Sequence, residues 1–402
     1  MPSAAPAPPA ADQTPAATVD LVISGGRVLD PANGLDQVAD VLVADGRILA
    51  VGAGLGRDHS QAQVVDADGL LVTPGLIDLH AHVYPGLGDF CVTPDQAGVE
   101  RGVPIVIDGG TSGTATINLA HQWIDSARPQ TRVLAFMDPC VLYLATHDFI
   151  CHRLEIANDL RNLDLDAATE ALEVHADYVI GFKVRACHTG DPSVSPFLEG
   201  AKSIAGDLPI MVHLGRFPFT PTIETSTLLE ALRPGDIITH AYRGASGELD
   251  PATGAPTEQF RDAVDRGVRL DVGHSATDFR FRDARKLFEA GYVPDSISTD
   301  LNVFNIDEPV RSLPETMSKV WALGVELAEV VAMATTGPAA SIHRSHQFGT
   351  LDVGREAEVS VLRIDEGPAE LSDGHETLVA ERRLVPVGCV RAGRWIEATA
   401  GL

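Results

Sequence analysis

The sequence predicts an α/β fold: a (β/α)8, TIM-like barrel accompanied by a small β-sandwich assembled from both chain ends. Eight short apolar runs recur through the middle of the chain, and six of their seven successive intervals are about 30 residues, enough for a strand, a loop and a crossover helix. Most of these runs end in a side chain that can ligate a metal, at the strand end where such barrels build active sites. The two flanks instead carry short alternating runs broken by tight-turn residues, the pattern of a separate β unit.

In chain order, MPSAAPAPPAADQTPAA has neither a basic n-region nor an apolar h-region, so residues 1–18 are expected to be a disordered leader rather than a secretory signal. DLVISGGRVLD, DVLVADGRILAVG and AQVVDADGLLVTPG follow, with turns expected at Ser24-Gly25-Gly26 and Ala44-Asp45-Gly46. With GTLDVGREAEVSVLRI and RRLVPVGCVRAGRWI they make up the expected sandwich, residues 19–72 plus 344–402. The barrel takes 73–343, with strands at Leu76–His80, Val103–Asp108, Arg132–Met137, Tyr178–Val184, Pro209–Leu214, Asp236–Ala241, Val268–Val272 and Ser296–Asp300. Amphipathic segments such as DAATEALEVHAD, GAKSIAGD and FRDARKLFEAG supply crossovers. The one longer interval, between the third and fourth strands, holds LATHDFICHRLEIANDL and is expected to be a lid or an inserted helix.

With 402 residues and 45% apolar side chains, the chain can fill one large core and a smaller one. Its formal charge of −26 opposes encounter with nucleic acid or an anionic membrane and says nothing about substrate; the small-molecule substrate expected here rests on the candidate site residues. Five cysteines (Cys91, Cys140, Cys151, Cys187, Cys389) lack CxxC spacing, which argues against a disulfide framework or a thiolate zinc site and suits a reducing compartment. No run approaches the roughly 18 apolar residues of a membrane span, and a cytoplasmic location is expected. Homo-oligomerisation stays open.

His80 and His82 close the first run in PGLIDLHAH; residues two apart on a strand share a face, so both imidazoles can reach one ion. Lys183 in VIGFKVR, His213 in PIMVHL, His240 in DIITHA and Asp300 in SISTD sit at the ends of four more runs. An ammonium beside divalent ions would be repelled, so Lys183 must be neutral or modified. Carboxylated with CO2, it becomes an anion able to bridge two metals, and charge counting favours that form. His213 and His240 would complete the second ion's shell with Lys183. Asp300 can bind the first ion and pass a proton from activated water to the leaving group.

TPGLIDLHAH, GFKVRACH, MVHLG, THAYRG, LDVGH, STDL and the closing GTLDVGREAEVSVL resemble the amidohydrolase superfamily, and within it the deacetylase and dihydroorotase-like branch of binuclear metallohydrolases. The resemblance covers nearly everything from about residue 19 to the C-terminus. It implies a deformed (β/α)8 barrel with a urease-type β-sandwich and two zinc ions. His80, His82 and Asp300 would hold one ion, His213 and His240 the other, with N6-carboxylated Lys183 between them. Dihydroorotases place an arginine two residues after the HxH pair, where this chain has Tyr84, so pyrimidine-ring hydrolysis is disfavoured.

The leading expectation is a binuclear zinc hydrolase that cleaves an amide or ester acyl bond by attack of a metal-bridging hydroxide, on a small N-acyl or O-acyl substrate bearing a carboxylate. Arg185, two residues past Lys183, is the candidate for holding that carboxylate. Tyr84, His188 and His274 are further candidates for substrate contact, and the Asp108–Gly113 turn for exposing backbone N–H groups. The alternatives are a cyclic amide hydrolase of the dihydroorotase or hydantoinase type, or a dipeptidase. Phosphoester hydrolysis and a non-catalytic metal-bound scaffold rank below them.

Overall fold

The computed structural model describes residues 18–399 except 60, 216–219 and 245. Apart from Thr18, the expected leader lies outside the described residues. Strands β1 (Leu21–Asp30), β2 (Leu35–Ala44), β3 (Arg47–Gly52), β4 (Gln63–Asp66) and β5 (Leu71–Pro74) open the fold. Shorter strands follow: β6 (Ile77–Ala81), β7 (Ile105–Gly109), β8 (Arg132–Met137), β9 (Val179–Val184), β10 (Ile210–His213), β11 (Ile237–Thr239) and β12 (Arg269–Leu270). The chain closes on β13 (Val359–Ser372), β14 (Thr377–Arg391) and β15 (Arg394–Glu397). No described helix is long and apolar enough to cross a membrane.

β6 to β12 hydrogen-bond in strict sequence order into one parallel sheet. Parallel neighbours need crossovers, and helices Ile117–Ala127, Leu165–Val174, Pro196–Ala205, Thr225–Ala231, Glu258–Asp265 and Phe281–Glu289 supply them after β7 to β12 in turn. Several start where a side-chain oxygen satisfies an orphan N–H: Asp164 accepts from Ala167, Ser195 from Leu198 and Thr257 from Phe260. Leu79, Ile107, Phe136, Met211 and Ile237 belong to one buried cluster contributed by successive strands. On β10 the period of two sets His213 on the same face as Met211.

The predicted strand at Ser296–Asp300 is the exception, because it forms no ladder. It is extended chain joined by isolated bridges, Asp271 with Ser296 and Ala81 with Leu301. Its carbonyls at Ser296, Ser298 and Thr299 accept from Val272, His274 and Ser275, and Asp300 N–H donates to His80 O at 2.6 Å. Both outer strands of the parallel sheet therefore touch this segment. At the junction with β6, Asp300 adopts a left-handed backbone (φ 52), outside the β region. The longer interval after β8 is also more irregular than an inserted helix: it holds a one-turn helix, Ile150–Arg153, and 3-10 turns at Ile156–Asn158 and Leu160–Asn162.

The expected sandwich strands from both chain ends form one connected sheet, in the order β15-β14-β13-β5-β1-β2-β3 with β4 also on β1. Ser24-Gly25-Gly26 is not a turn. β1 runs through it with a register shift between Ile23 and Gly26, and Gly25 takes φ 74. The bulge lets β1 change partners, pairing β4 through residues 21–24 and β5 through 27–28. A side chain on Gly26 would put its Cβ 2.5 Å from Val72 Cγ2. Asp45-Gly46, both at positive φ (50 and 73), is the tight turn expected between β2 and β3.

Candidate metal centre

His80, His82, Lys183, His213, His240 and Asp300 all line one cavity of about 300 Å³. His80 comes from β6, Lys183 from β9 and His213 from β10, while His82 and His240 follow the ends of β6 and β11 and Asp300 lies within the bridged segment. Asp300 Oδ1 lies 3.0 Å from His82 Nε2 and 3.5 Å from His80 Nε2. Lys183 Nζ is 3.0 Å from His80 Nε2 and 3.6 Å from Met211 Sδ. The His240 ring sits 5.3 Å from that of His80 and 4.3 Å from that of His213. His240 and Asp300 are both left-handed, φ 65 and 52, which costs non-glycine residues about 1–3 kcal/mol each and concentrates strain at this one place.

The proton positions on three histidines follow from their outer partners. Thr239 Oγ1 donates to Asp271 Oδ2 (2.7 Å) and therefore accepts from His80 Nδ1 (3.0 Å). Thr111 Oγ1 donates to Asp108 Oδ2 (2.8 Å) and accepts from His82 Nδ1 (2.7 Å). His240 Nδ1 donates to Gly273 O at 2.6 Å. In a neutral imidazole the other nitrogen is then a lone pair, so three Nε2 atoms offer acceptors at the cavity. His240 Nε2 is buried and has no hydrogen-bond partner among the described residues.

Burial pushes His80 and His213 well below the ordinary imidazole range, helped by Lys183 at the first and Arg185 at the second, and takes His240 down to about 3. These rings are held neutral, the form that ligates metal. Burial also pushes the Lys183 amine down to about 7. Neutral imidazoles, a carboxylate and an orphaned acceptor within one cluster fit a divalent cation. One ligand atom each from His80, His240 and Asp300 falls within 4.8 Å of the others, and so does a set from His213, His240 and Asp278.

The Asp108–Gly113 turn explains itself through the ligands. A Cβ on Gly109 would lie 1.9 Å from His80 Cδ2, and one on Gly110 2.3 Å from Lys183 Cβ, so the glycines make room for two ligands. Asp108 also accepts from Thr111 N–H at 2.7 Å, fixing the hydroxyl that orients His82.

Of the residues expected to touch substrate, Arg185 lines the cavity, its Nε donating to Tyr143 Oη at 2.7 Å and its NH2 group 3.3 Å from His213 Nδ1. The other three lie outside the cavity lining. Tyr84 is buried with its hydroxyl 2.5 Å from that of Tyr178. His274 is buried, accepting at Nε2 from Lys319 Nζ (2.9 Å) and donating from Nδ1 to Ser275 O (2.7 Å). His188 Nδ1 accepts from Gly190 N–H at 3.2 Å.

Sequence reasoning missed Tyr143, Arg243 and Asp278, which line the cavity with Arg243 and Asp278 paired at 3.1 Å. Arg243 lies in the THAYRG run, three residues after His240, but nothing in the local sequence marks Tyr143 or Asp278. Thr111 carried a readable signal, three residues after Asp108 in a local Asp-capped turn.

No family model matches the chain. A deacetylase of Agrobacterium fabrum is 33% identical over 350 residues, covering 86% of this chain and 83% of that protein. Among solved structures, an adenine deaminase matches with a TM-score of 0.83 at 27% identity, over 94% of this chain and 100% of the other. A dihydroorotase matches with a TM-score of 0.81 at 28% identity, over 95% and 98% respectively.

Proposed function

Since the chain belongs to the amidohydrolase superfamily, we propose that it is a binuclear zinc hydrolase cleaving the amide or ester acyl bond of a small N-acyl or O-acyl compound that carries a carboxylate. The observation that carries this reading is the convergence of three Nε2 lone pairs, the Asp300 carboxylate and Lys183 on one buried cavity. His80, His82 and Asp300 would hold one ion, His213 and His240 the other, with Lys183 carboxylated between them. Bound there, two divalent ions supply Lewis acidity and an activated water.

This chain's own residues do the rest. Asp300 accepts the proton of the attacking water and hands it to the departing nitrogen or oxygen. Arg185, steadied by the Tyr143 hydroxyl, grips the substrate carboxylate through paired N–H donors. The barrel would begin after β5, whose Thr73 and Pro74 pair with β13, and run to about residue 343 with the 296–301 segment as its eighth strand; the flanking residues 19–74 and 344–399 would form the smaller domain. The name of the A. fabrum relative supports deacylation over ring opening. So does Tyr84, which stands where dihydroorotases carry an arginine and is turned toward Tyr178 instead.

The test is chelation of the purified protein followed by reloading with zinc and bicarbonate. Each form is assayed on N-acetyl amino acids, O-acetyl hydroxy acids, dipeptides, lactones and cyclic imides. Activity is expected to vanish and return on the acyl compounds. A zinc-replete protein that hydrolyses none of the panel overturns the acyl-hydrolase reading, and preference for cyclic imides replaces it with the ring-opening one.

A further inference from the structure

The hairpin of β13 and β14 pairs out to Ser372 and Thr377, and its turn, residues 373–376, lies against the loop that follows β12. That loop supplies Ser275, Ala276, Thr277 and Asp278 to the cavity wall. The fit between turn and loop is specific. Buried Asp373 accepts from Phe281 N–H through Oδ2 and from His375 and Glu376 N–H through Oδ1, each at 2.7 Å. His375 Nε2 donates to Thr277 O at 3.2 Å. Gly374, at φ 88, lies so close that a Cβ would stand 2.2 Å from Ala276 O and 3.3 Å from Pro309 Cγ.

A second support reaches the same loop from the helix Leu313–Ala322. Lys319 is wholly buried on that helix and donates to His274 Nε2 (2.9 Å) and to Pro309 O (2.7 Å). Burying a lysine is costly unless its donors are satisfied, and both acceptors here belong to loops beside the cavity. The neighbouring Ser318 Oγ accepts from Leu384 N–H of β14 at 2.8 Å, tying helix and hairpin together. Within the loop Ser275 is held at φ 53, a strained setting that needs such outside support. At the loop's far end Asp278 pairs with Arg243, whose NH1 group donates to Leu214 O at 2.8 Å.

We propose that the 373–376 turn and Lys319 are positioning elements for the substrate. Themselves touching neither the proposed metal ligands nor substrate, they clamp the 274–278 loop so that Asp278 and Arg243 present a fixed wall to the bound molecule. The smaller sheet thereby takes part in the reaction's specificity rather than only flanking the barrel. This inference rests on the cavity being the active site proposed above.

Two exposed positions test it with little risk to folding. Gly374→Ala drives a methyl group into Ala276 O, and His375→Ala removes the donor to Thr277 O, whereas His375→Gln keeps one. KM is expected to rise about tenfold in Gly374→Ala and about threefold in His375→Ala, with kcat within about twofold of wild type and His375→Gln near wild type. Amide hydrogen exchange of 274–278 is expected to accelerate in the two damaging variants while bound zinc holds; Tm is expected to hold in His375→Ala and to fall in Gly374→Ala, where φ 88 also strains an alanine. Unchanged exchange in Gly374→Ala overturns the clamp. So does a fall in Tm with KM unmoved, which marks a merely structural turn, or loss of zinc together with kcat, which marks support of the metal centre. Exchange and zinc content are read without substrate, so they decide the clamp even when the panel shows no hydrolysis, a result that counts against the acyl-hydrolase reading alone.

Discussion

Replacing Thr239 by valine removes one oxygen and leaves the side chain's shape nearly unchanged. That oxygen accepts from His80 Nδ1 at 3.0 Å and donates to Asp271 Oδ2 at 2.7 Å, at a fully buried position. Asp271 keeps the hydroxyls of Ser296 and Ser298, each at 2.6 Å, so its carboxylate is still satisfied. His80 loses the partner that holds its proton on Nδ1. Stranding a buried donor costs about 1–3 kcal/mol, and the ring can escape by moving the proton to Nε2, the atom the ion needs. Zinc affinity should therefore fall about 10- to 100-fold, the usual range for loss of a partner that orients a ligand. Competition against a chromophoric chelator measures it, with Thr239→Ser as the control that restores a hydroxyl. Wild-type zinc affinity in Thr239→Val refutes the proton assignment. Equal damage in Thr239→Ser shifts the cause to packing.

The remaining predictions bear on the same cavity. Gly109→Ala should fold, by circular dichroism, yet bind less zinc by metal analysis, because its Cβ would stand 1.9 Å from His80 Cδ2; full metal content would contradict that overlap. Arg185→Met should raise KM about 10- to 100-fold for a carboxylate substrate while leaving its neutral methyl ester untouched, and equal losses on both would remove the carboxylate contact. Lys183→Ala should lose the mass of one CO2 in native mass spectrometry together with bound zinc, and a fully active variant holding two metals would end the carbamate proposal. Asp300→Asn should lower kcat about a hundredfold or more with the fold intact; unaltered kcat would strip Asp300 of its proton role.

Most of the parallel strands were legible because strands buried on both faces read as continuous apolar runs, as IVIDG and IMVH do. SISTD is less apolar for a reason local sequence does not carry: Ser296 and Ser298 bond Asp271, and Thr299 bonds Asp78. The six candidate ligands share a readable mark, each falling at or just beyond a strand end, and all of them line one cavity. Tyr84 was singled out by its place two residues after the HxH pair, and the structure turns it toward Tyr178. His82 already lies past the last residue of β6, so alternation no longer dictates where the next side chains point. His274 fails in a similar way, since two-residue β12 ends at Leu270 and the loop beyond it is shaped by Lys319 and Pro309. Gly25-Gly26 reads as a turn from composition alone. Only the change of partner strands, a tertiary fact, makes it a bulge.

Three buried aspartates complete the logic of the centre. Asp271 reaches His80 through Thr239, Asp108 reaches His82 through Thr111, and Asp78 accepts from Thr299 Oγ1 at 2.5 Å and from His80 N–H at 3.3 Å. In each case a neutral hydroxyl or amide stands between the carboxyl group and the candidate ligand, and burial pushes all three carboxyls up, Asp78 to about 7. A carboxyl group held behind a hydroxyl orients the ring without occupying a coordination position. Asp300 has no such spacer, standing 3.0 Å from His82 Nε2 and lining the cavity together with Asp278. Under the proposed mechanism, that separation of duties leaves Asp300 available to carry a proton.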